Sequence, residues 1–183
     1  MKTVAVILAR GGSKGIPQKN LVEICGKPLM VWSIEQALAA EFIDSVWVSS
    51  DSDTILEVAI DAGARPIKRP ENISHDTASS EAAWLHAIDE IEKTGHEPNQ
   101  VVGIQATSPI RESNDFDQAL REFTTGGYDS LFTVMEMEDF LVWKDGGVAG
   151  YSPVNYDYKN RQMRQAIERR YLENGSFYIF KTE

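Results

Sequence analysis

The residues best suited to chemistry stand near the start of the chain, in Leu8-Ala9-Arg10-Gly11-Gly12-Ser13-Lys14-Gly15-Ile16-Pro17-Gln18-Lys19-Asn20. Glycines there let the main chain approach a ligand closely and turn N–H groups towards phosphate oxygens. Arg10, Lys14 and Lys19 place three cations within ten residues. Such a set can hold a triphosphate while one of its phosphorus atoms is attacked. The spacing fits neither G-x-x-x-x-G-K-[ST] nor G-x-G-x-x-G, which excludes two widespread phosphate loops. The alternative is a flexible surface loop; three cations directly after a strand favour phosphate.

Further along, Asp76-Thr77-Ala78-Ser79-Ser80 is polar and stands just before a helical run. Free N–H groups at that helix start, with the Ser79 and Ser80 hydroxyls, can hold a base edge or a ribose, or serve simply as a cap. Arg69 is either a nucleotide partner or an exposed loop arginine. Gln105 ends a strand and offers both a donor and an acceptor to a sugar hydroxyl or carboxylate. Thr107-Ser108-Pro109 after it also reads as a turn that stops the strand. Asp51 is placed to cap a helix starting near Ser52. His75, His86 and His96 lack metal-ligand spacing. Phe140, Trp143, Tyr151, Tyr156 and Tyr158 either close over a ligand or form a subunit contact.

These residues need a frame, and the pattern supplies one. Short apolar or β-branched runs alternate with helical periods, as in an α/β domain. The expected strands are Val4–Leu8, Ser45–Ser49, Ala64–Ile67, Val101–Gln105, Ser130–Val134 and Ser176–Phe180. Pro28 opens a first helix; others span Ser52–Ala62, Ser79–Lys93 and Asp115–Phe123. Strand–helix–strand order predicts a mainly parallel sheet with helices on both faces. Ligands then bind at the carboxyl ends of strands, after Leu8, Ser49 and Gln105. From Met135 to Arg170 the rhythm breaks. A hairpin of Phe140–Trp143 with Val148–Tyr151 around Asp145-Gly146-Gly147 is expected there, as an insertion.

The chain has 183 residues, 42% of them hydrophobic, which suits one α/β domain with a proper core. Its net charge of −10 argues against nucleic acid as a partner. Residues 1–30 nevertheless carry five cations against Glu23 alone, and residues 161–170 carry four arginines against Glu168. Two basic clusters on an acidic chain suit a dedicated anion pocket; chance clustering on a solvated face is the alternative. No apolar run approaches the roughly 18 residues of a membrane span. The run Val4–Ala9 is too short for a secretory signal. Cys25 is the only cysteine. A cytoplasmic setting without disulfides is therefore expected.

Segment Ala9–Asn20 resembles the signature of the CMP-sialic acid synthetases (acylneuraminate cytidylyltransferases). Further segments resemble that family in the same order: Val46-Trp47-Val48-Ser49-Ser50-Asp51, Arg69-Pro70, Asp76–Ser80, Gln105–Arg111, Arg164-Gln165 and Glu173-Asn174-Gly175-Ser176-Phe177-Tyr178. The resemblance implies a Rossmann-like nucleotidyltransferase fold over residues 1–183, with a dimerisation and sugar-site extension at about 135–170. It implies a homodimer that joins CTP to an acidic nine-carbon keto sugar, giving a CMP-sugar and pyrophosphate. Arg10, Lys14 and Lys19 become the catalytic cations. Ala9, Gly11, Gly12, Ser13, Asn20, Arg69, Ala78, Ser79 and Ser80 become nucleotide contacts. Gln105, Thr107, Ser108, Arg164 and Asn174 become sugar contacts, Arg164 across the dimer. Mg²⁺ is the implied cofactor, and the family's aspartates for it are expected beyond Glu183. The competing readings are a 3-deoxy-manno-octulosonate cytidylyltransferase and a catalytically inactive nucleotide-binding module.

Overall fold

A computed structural model describes residues 2–112, 114–137 and 141–182; the side chain of Arg164 and the ring of Phe140 fall outside that set. In chain order the elements are β1 (Thr3–Leu8), β2 (Glu23–Ile24), β3 (Lys27–Pro28), α1 (Leu29–Ala39), β4 (Ser45–Ser50), α2 (Asp53–Asp61) and β5 (Arg65–Lys68). They continue with α3 (Ser80–Lys93), β6 (Gln100–Gln105), α4 (Asp115–Gly126), β7 (Ser130–Met137), β8 (Trp143–Asp145), β9 (Tyr151–Pro153) and β10 (Arg170–Lys181).

The main sheet runs β5-β4-β1-β6-β10-β7. β1 pairs in parallel with β4 and β6, and β4 with β5, whereas β10 runs antiparallel to β6. Alternation along each strand assigns the two faces. Ala5, Ile7, Val46, Val48, Val102, Ile104, Phe177 and Ile179 join one core with Met30 and Ile34 of α1, Ile55 and Ala59 of α2, and Phe116, Leu120 and Phe123 of α4. Val4, Val6, Trp47 and Val101 point the other way and bury Trp84, Ala87, Ile88 and Ile91 of α3. Helices therefore cover both faces, three on one and one on the other. Each fully buried aliphatic side chain contributes about 1.5–3 kcal/mol, so the doubly covered central strands carry most of the stability.

α3 approaches the sheet unusually closely because Gly103 lies under it. A Cβ on Gly103 would stand 2.7 Å from two ring carbons of Trp84. The indole takes that space and packs against Tyr178 and Phe180. On β2 and β3, Cys25 (φ 52°) and Gly26 (φ 83°) form the two-residue left-handed turn that a tight hairpin needs.

The chain divides into two compact units, Met1–Thr133 with Gly175–Glu183, and Val134–Asn174. Several expectations are corrected. β7 continues to Met137 and β10 begins at Arg170, both longer than anticipated. Their added halves are mostly exposed, so they lack the burial pattern that marks a core strand. Pro28 closes β3 and precedes the first helical residue instead of occupying it. The expected hairpin exists in another register, Trp143↔Pro153 to Asp145↔Tyr151. Gly147 (φ 62°) and Gly150 (φ 75°) spend five residues on the loop, and Val148 lies in that loop instead of in a strand.

Candidate functional site

The carboxyl ends of β1 and β6, the segment after β5 and the first turn of α3 converge on one cleft. Leu8, Arg10, Ser13, Lys19, Asn20, Arg69, Ile73, Ser74, His75, Asp76, Ala78, Ser79, Ser80, Ala83, Gln105, Ala106 and Thr107 line it. This is where a parallel sheet leaves ligand space. Arg10, Lys19 and Arg69 face Asp76 alone among charged lining residues. In a chain of net charge −10, that local excess of cations makes the cleft an anion site.

The glycine loop is anchored at both ends. Ala9, fully buried, donates its N–H to the Ser49 carbonyl at 3.1 Å. Gly11 N–H donates to Asp51 Oδ1 at 2.8 Å. The buried Asn20 donates through Nδ2 to the Arg10 carbonyl at 3.0 Å. These bonds fix the main chain on either side of Arg10. Asp51 does not cap α2, contrary to expectation: Ser52 is the capping residue, without a side-chain cap bond. The reach to Gly11 takes the carboxylate away from the helix.

The loop cations point at one carboxylate. Arg10 Nη1 donates to Asp76 Oδ1 at 2.6 Å, and Lys14 Nζ bonds Asp76 Oδ2. Bonds from Lys14, and then from Arg10, hold the Asp76 carboxyl below the usual carboxylate range. Lys19 lines the cleft with no ion pair among the described residues. Sequence alone placed Asp76 in a nucleoside segment; its pairing with the loop, 66 residues away, has no local signal.

Arg69 is 5% exposed, which excludes the exposed-loop alternative. Its Nε donates to Ser74 Oγ at 3.1 Å, and its main-chain N–H donates to the Ser50 carbonyl at 2.8 Å. The two Nη groups have no protein acceptor among the described residues. Burial pushes the guanidinium below its ordinary pKa, against the pull of nearby Asp51; neighbouring Arg10 pushes the same way as burial. Two donor groups of a buried cation are thus left for the cleft's contents, water or an anion, to meet.

At the start of α3, Ser79 Oγ accepts the Ala82 N–H at 3.2 Å. The cap reading therefore holds, and Ser79 still lines the cleft with Ala78 and Ser80. Gln105 and Thr107 line the same cleft; Ala9, Gly11, Gly12, Lys14 and Ser108 are not on its wall. Ser108 N–H closes a turn onto the Gln105 carbonyl at 3.2 Å. Arg164 and Asn174 belong to the second unit, and the Arg164 side chain lies outside the described residues.

Arg111 carries a structural role that sequence reading missed. Its guanidinium donates to Ser33 Oγ (3.1 Å), Gln36 Oε1 (2.9 Å), Gln105 O (3.1 Å), Ser176 Oγ (2.8 Å) and Ser176 O (2.9 Å). Burial lowers its pKa to about 10, so it remains charged at neutral pH. It ties α1, β6 and β10 together behind Gln105.

Among the described residues, no three His, Cys, Asp or Glu side chains gather as a metal site. Asp51 and Asp76, the carboxylates nearest the loop, are engaged by Gly11 and by the two cations. The described residues therefore hold no all-protein cage for Mg²⁺, an ion that one or two carboxylates and substrate phosphates usually hold. No helix among the described residues is long and apolar enough to cross a membrane.

Fold and cleft together define a nucleotidyltransferase-type α/β protein. A CMP:2-keto-3-deoxy-manno-octonic acid synthetase solved with CTP superposes with a TM-score of 0.72 at 20% identity, covering 99% of this chain and 74% of that one. The cytidylyltransferase family model matches residues 4–173, and the chain belongs to that family. It is 40% identical over 182 residues to an N-acylneuraminate cytidylyltransferase A of Danio rerio, covering 98% of this chain. It is 35% identical to a pseudaminic acid cytidylyltransferase of Campylobacter jejuni, covering 98% of this chain and 78% of that protein. The chain spans only 41% and 40% of the two fish enzymes it matches.

Proposed function

We propose that this chain is the nucleotide-binding and transfer part of a cytidylyltransferase that joins CTP to an acidic nine-carbon keto sugar. The supporting observation is the cleft itself: an anchored glycine loop with Arg10 and Lys19 on the wall and Lys14 paired to Asp76 beside them, next to the buried Arg69, at the carboxyl edge of a parallel sheet. The names of the relatives support N-acylneuraminate, pseudaminate or a related nonulosonate as the sugar, with 3-deoxy-manno-octulosonate as the alternative.

In this reading the anomeric hydroxyl of the sugar attacks the α-phosphorus of CTP in line. One P–O bond forms and another breaks, pyrophosphate leaves, and the hydroxyl proton passes to solvent or a base. Positioning and charge stabilisation do most of the work in such transfers. Arg10, Lys14 and Lys19 meet the phosphate charge. Arg69, Asn20, Ala78, Ser79 and Ser80 hold the nucleoside, and Gln105 and Thr107 face the sugar. By the family resemblance, Arg164 and Asn174 are assigned to the sugar, Arg164 across a homodimer. Mg²⁺ is expected from the resemblance, with the family's aspartates for it beyond Glu183. The setting is cytoplasmic, where CTP is found.

The test is pyrophosphate release by the full protein with CTP, Mg²⁺ and a sugar panel. The panel holds N-acetylneuraminate, legionaminate, pseudaminate and 3-deoxy-manno-octulosonate. Release with a nine-carbon acid is expected. Release only with the eight-carbon acid would move the assignment to that sugar. CTP binding with no release for any sugar would reduce the protein to a nucleotide-binding module.

A further inference from the structure

One cleft residue has no part in the transfer described above. Asp76 is an acid at the centre of a site built for anions. Its two oxygens receive the two loop cations separately, Arg10 on Oδ1 and Lys14 on Oδ2, much as two oxygens of a phosphate group would. The carboxylate is presented by a segment held on both sides: Ser74 accepts from buried Arg69, and Ser79 caps α3. The pairing is easily exchanged. Lys14 is 81% and Asp76 37% exposed, so water and salt weaken the attraction. A triphosphate brings more charge and more acceptor oxygens than one carboxylate.

We propose that Asp76 is a positioning residue that occupies the place of the nucleotide's phosphate on Arg10 and Lys14, and cedes both cations when the nucleotide arrives. This rests on the phosphate role assigned to the loop. In the empty site the carboxylate keeps two like charges gathered that would otherwise repel each other. In the loaded site it stands beside the phosphates as an uncompensated negative charge, so the protein binds its nucleotide less tightly than the same cleft without that charge. The depressed pKa of Asp76 agrees with a carboxylate that is ionised and engaged before the ligand enters.

The experiment is calorimetric titration of inorganic tripolyphosphate, CTP and cytidine into the full protein and its Asp76→Asn and Asp76→Glu variants. Circular dichroism checks the fold of each. Asp76→Asn is expected to bind tripolyphosphate and CTP roughly tenfold more tightly. Cytidine, which carries no phosphate, is expected to bind unchanged, and Asp76→Glu to return to within about twofold of wild type. Equal or weaker tripolyphosphate binding by Asp76→Asn would overturn the proposal, as would a matching gain for cytidine. If tripolyphosphate and CTP bind neither wild type nor variant, the phosphate role of the loop falls first and this proposal with it.

Discussion

Arg69, buried, and Arg111, half-buried, stand at the same edge of the same sheet, and desolvation pushes both below the usual arginine pKa. They differ in what their donors meet. Arg111 makes five hydrogen bonds to three separate elements. Arg69 makes one side-chain bond, to Ser74. Burying a guanidinium is compensated when its fork is filled, as at Arg111. At Arg69 the fork is left open into a cleft. Partner count thus separates the two arginines into a clasp and a receptor. The exposed pair of Arg10 and Lys14 makes a third case, cations provisionally matched by an acid of the protein.

The largest effect should come from the third case. Lys14→Ala is expected to lower turnover by roughly 10²–10³-fold, with an unchanged circular-dichroism spectrum. Near wild-type turnover would remove Lys14 from the chemistry. On the clasp side, Arg111→Ala should lower unfolding free energy by about 2–4 kcal/mol in urea titrations, since it removes five hydrogen bonds to part-buried acceptors. Arg111→Lys should recover little, because an ammonium cannot reproduce the planar fork. If Arg111→Ala instead spared stability and abolished CTP binding, the division between the two arginines would collapse.

Arg69→Ala is the mirror experiment. CTP affinity should fall roughly tenfold or more, while the melting temperature holds or rises, since an under-partnered buried charge has been removed. The smallest effect is in acid. Asp76 has a folded pKa below the ordinary 3.8. Such a group stabilises the fold above its unfolded value and loses that contribution as pH falls through the folded one. The difference in melting temperature between wild type and Asp76→Asn should stay constant from neutrality down to about pH 4 and close below it.

The central strands were legible because burial on both faces writes continuous apolar runs, as in Val4–Leu8 and Val101–Gln105. The glycine loop was legible because its cations lie within a few residues of one another. Asp76 was not, since nothing local says which of 28 carboxylates will reach Arg10. Arg111 was hidden for the same reason: Ser33, Gln36 and Ser176 come from distant stretches. At Asp51-Ser52 two capping residues are adjacent, and only the pull of the Gly11 N–H decides between them. The outer halves of β7 and β10 carry no period because most of their residues face solvent.

The absent side chain at Gly103 acts as a spacer gauge for the ligand site. α3 settles onto β6 to the depth its indole allows, and the same helix delivers Ala83, beside that indole, and Ser80, one turn earlier, to the cleft wall. A single added carbon in the middle of that strand would lift the whole helix like a shim. The nucleoside would then meet a displaced wall, although nothing charged had changed and nothing that touches it had been replaced.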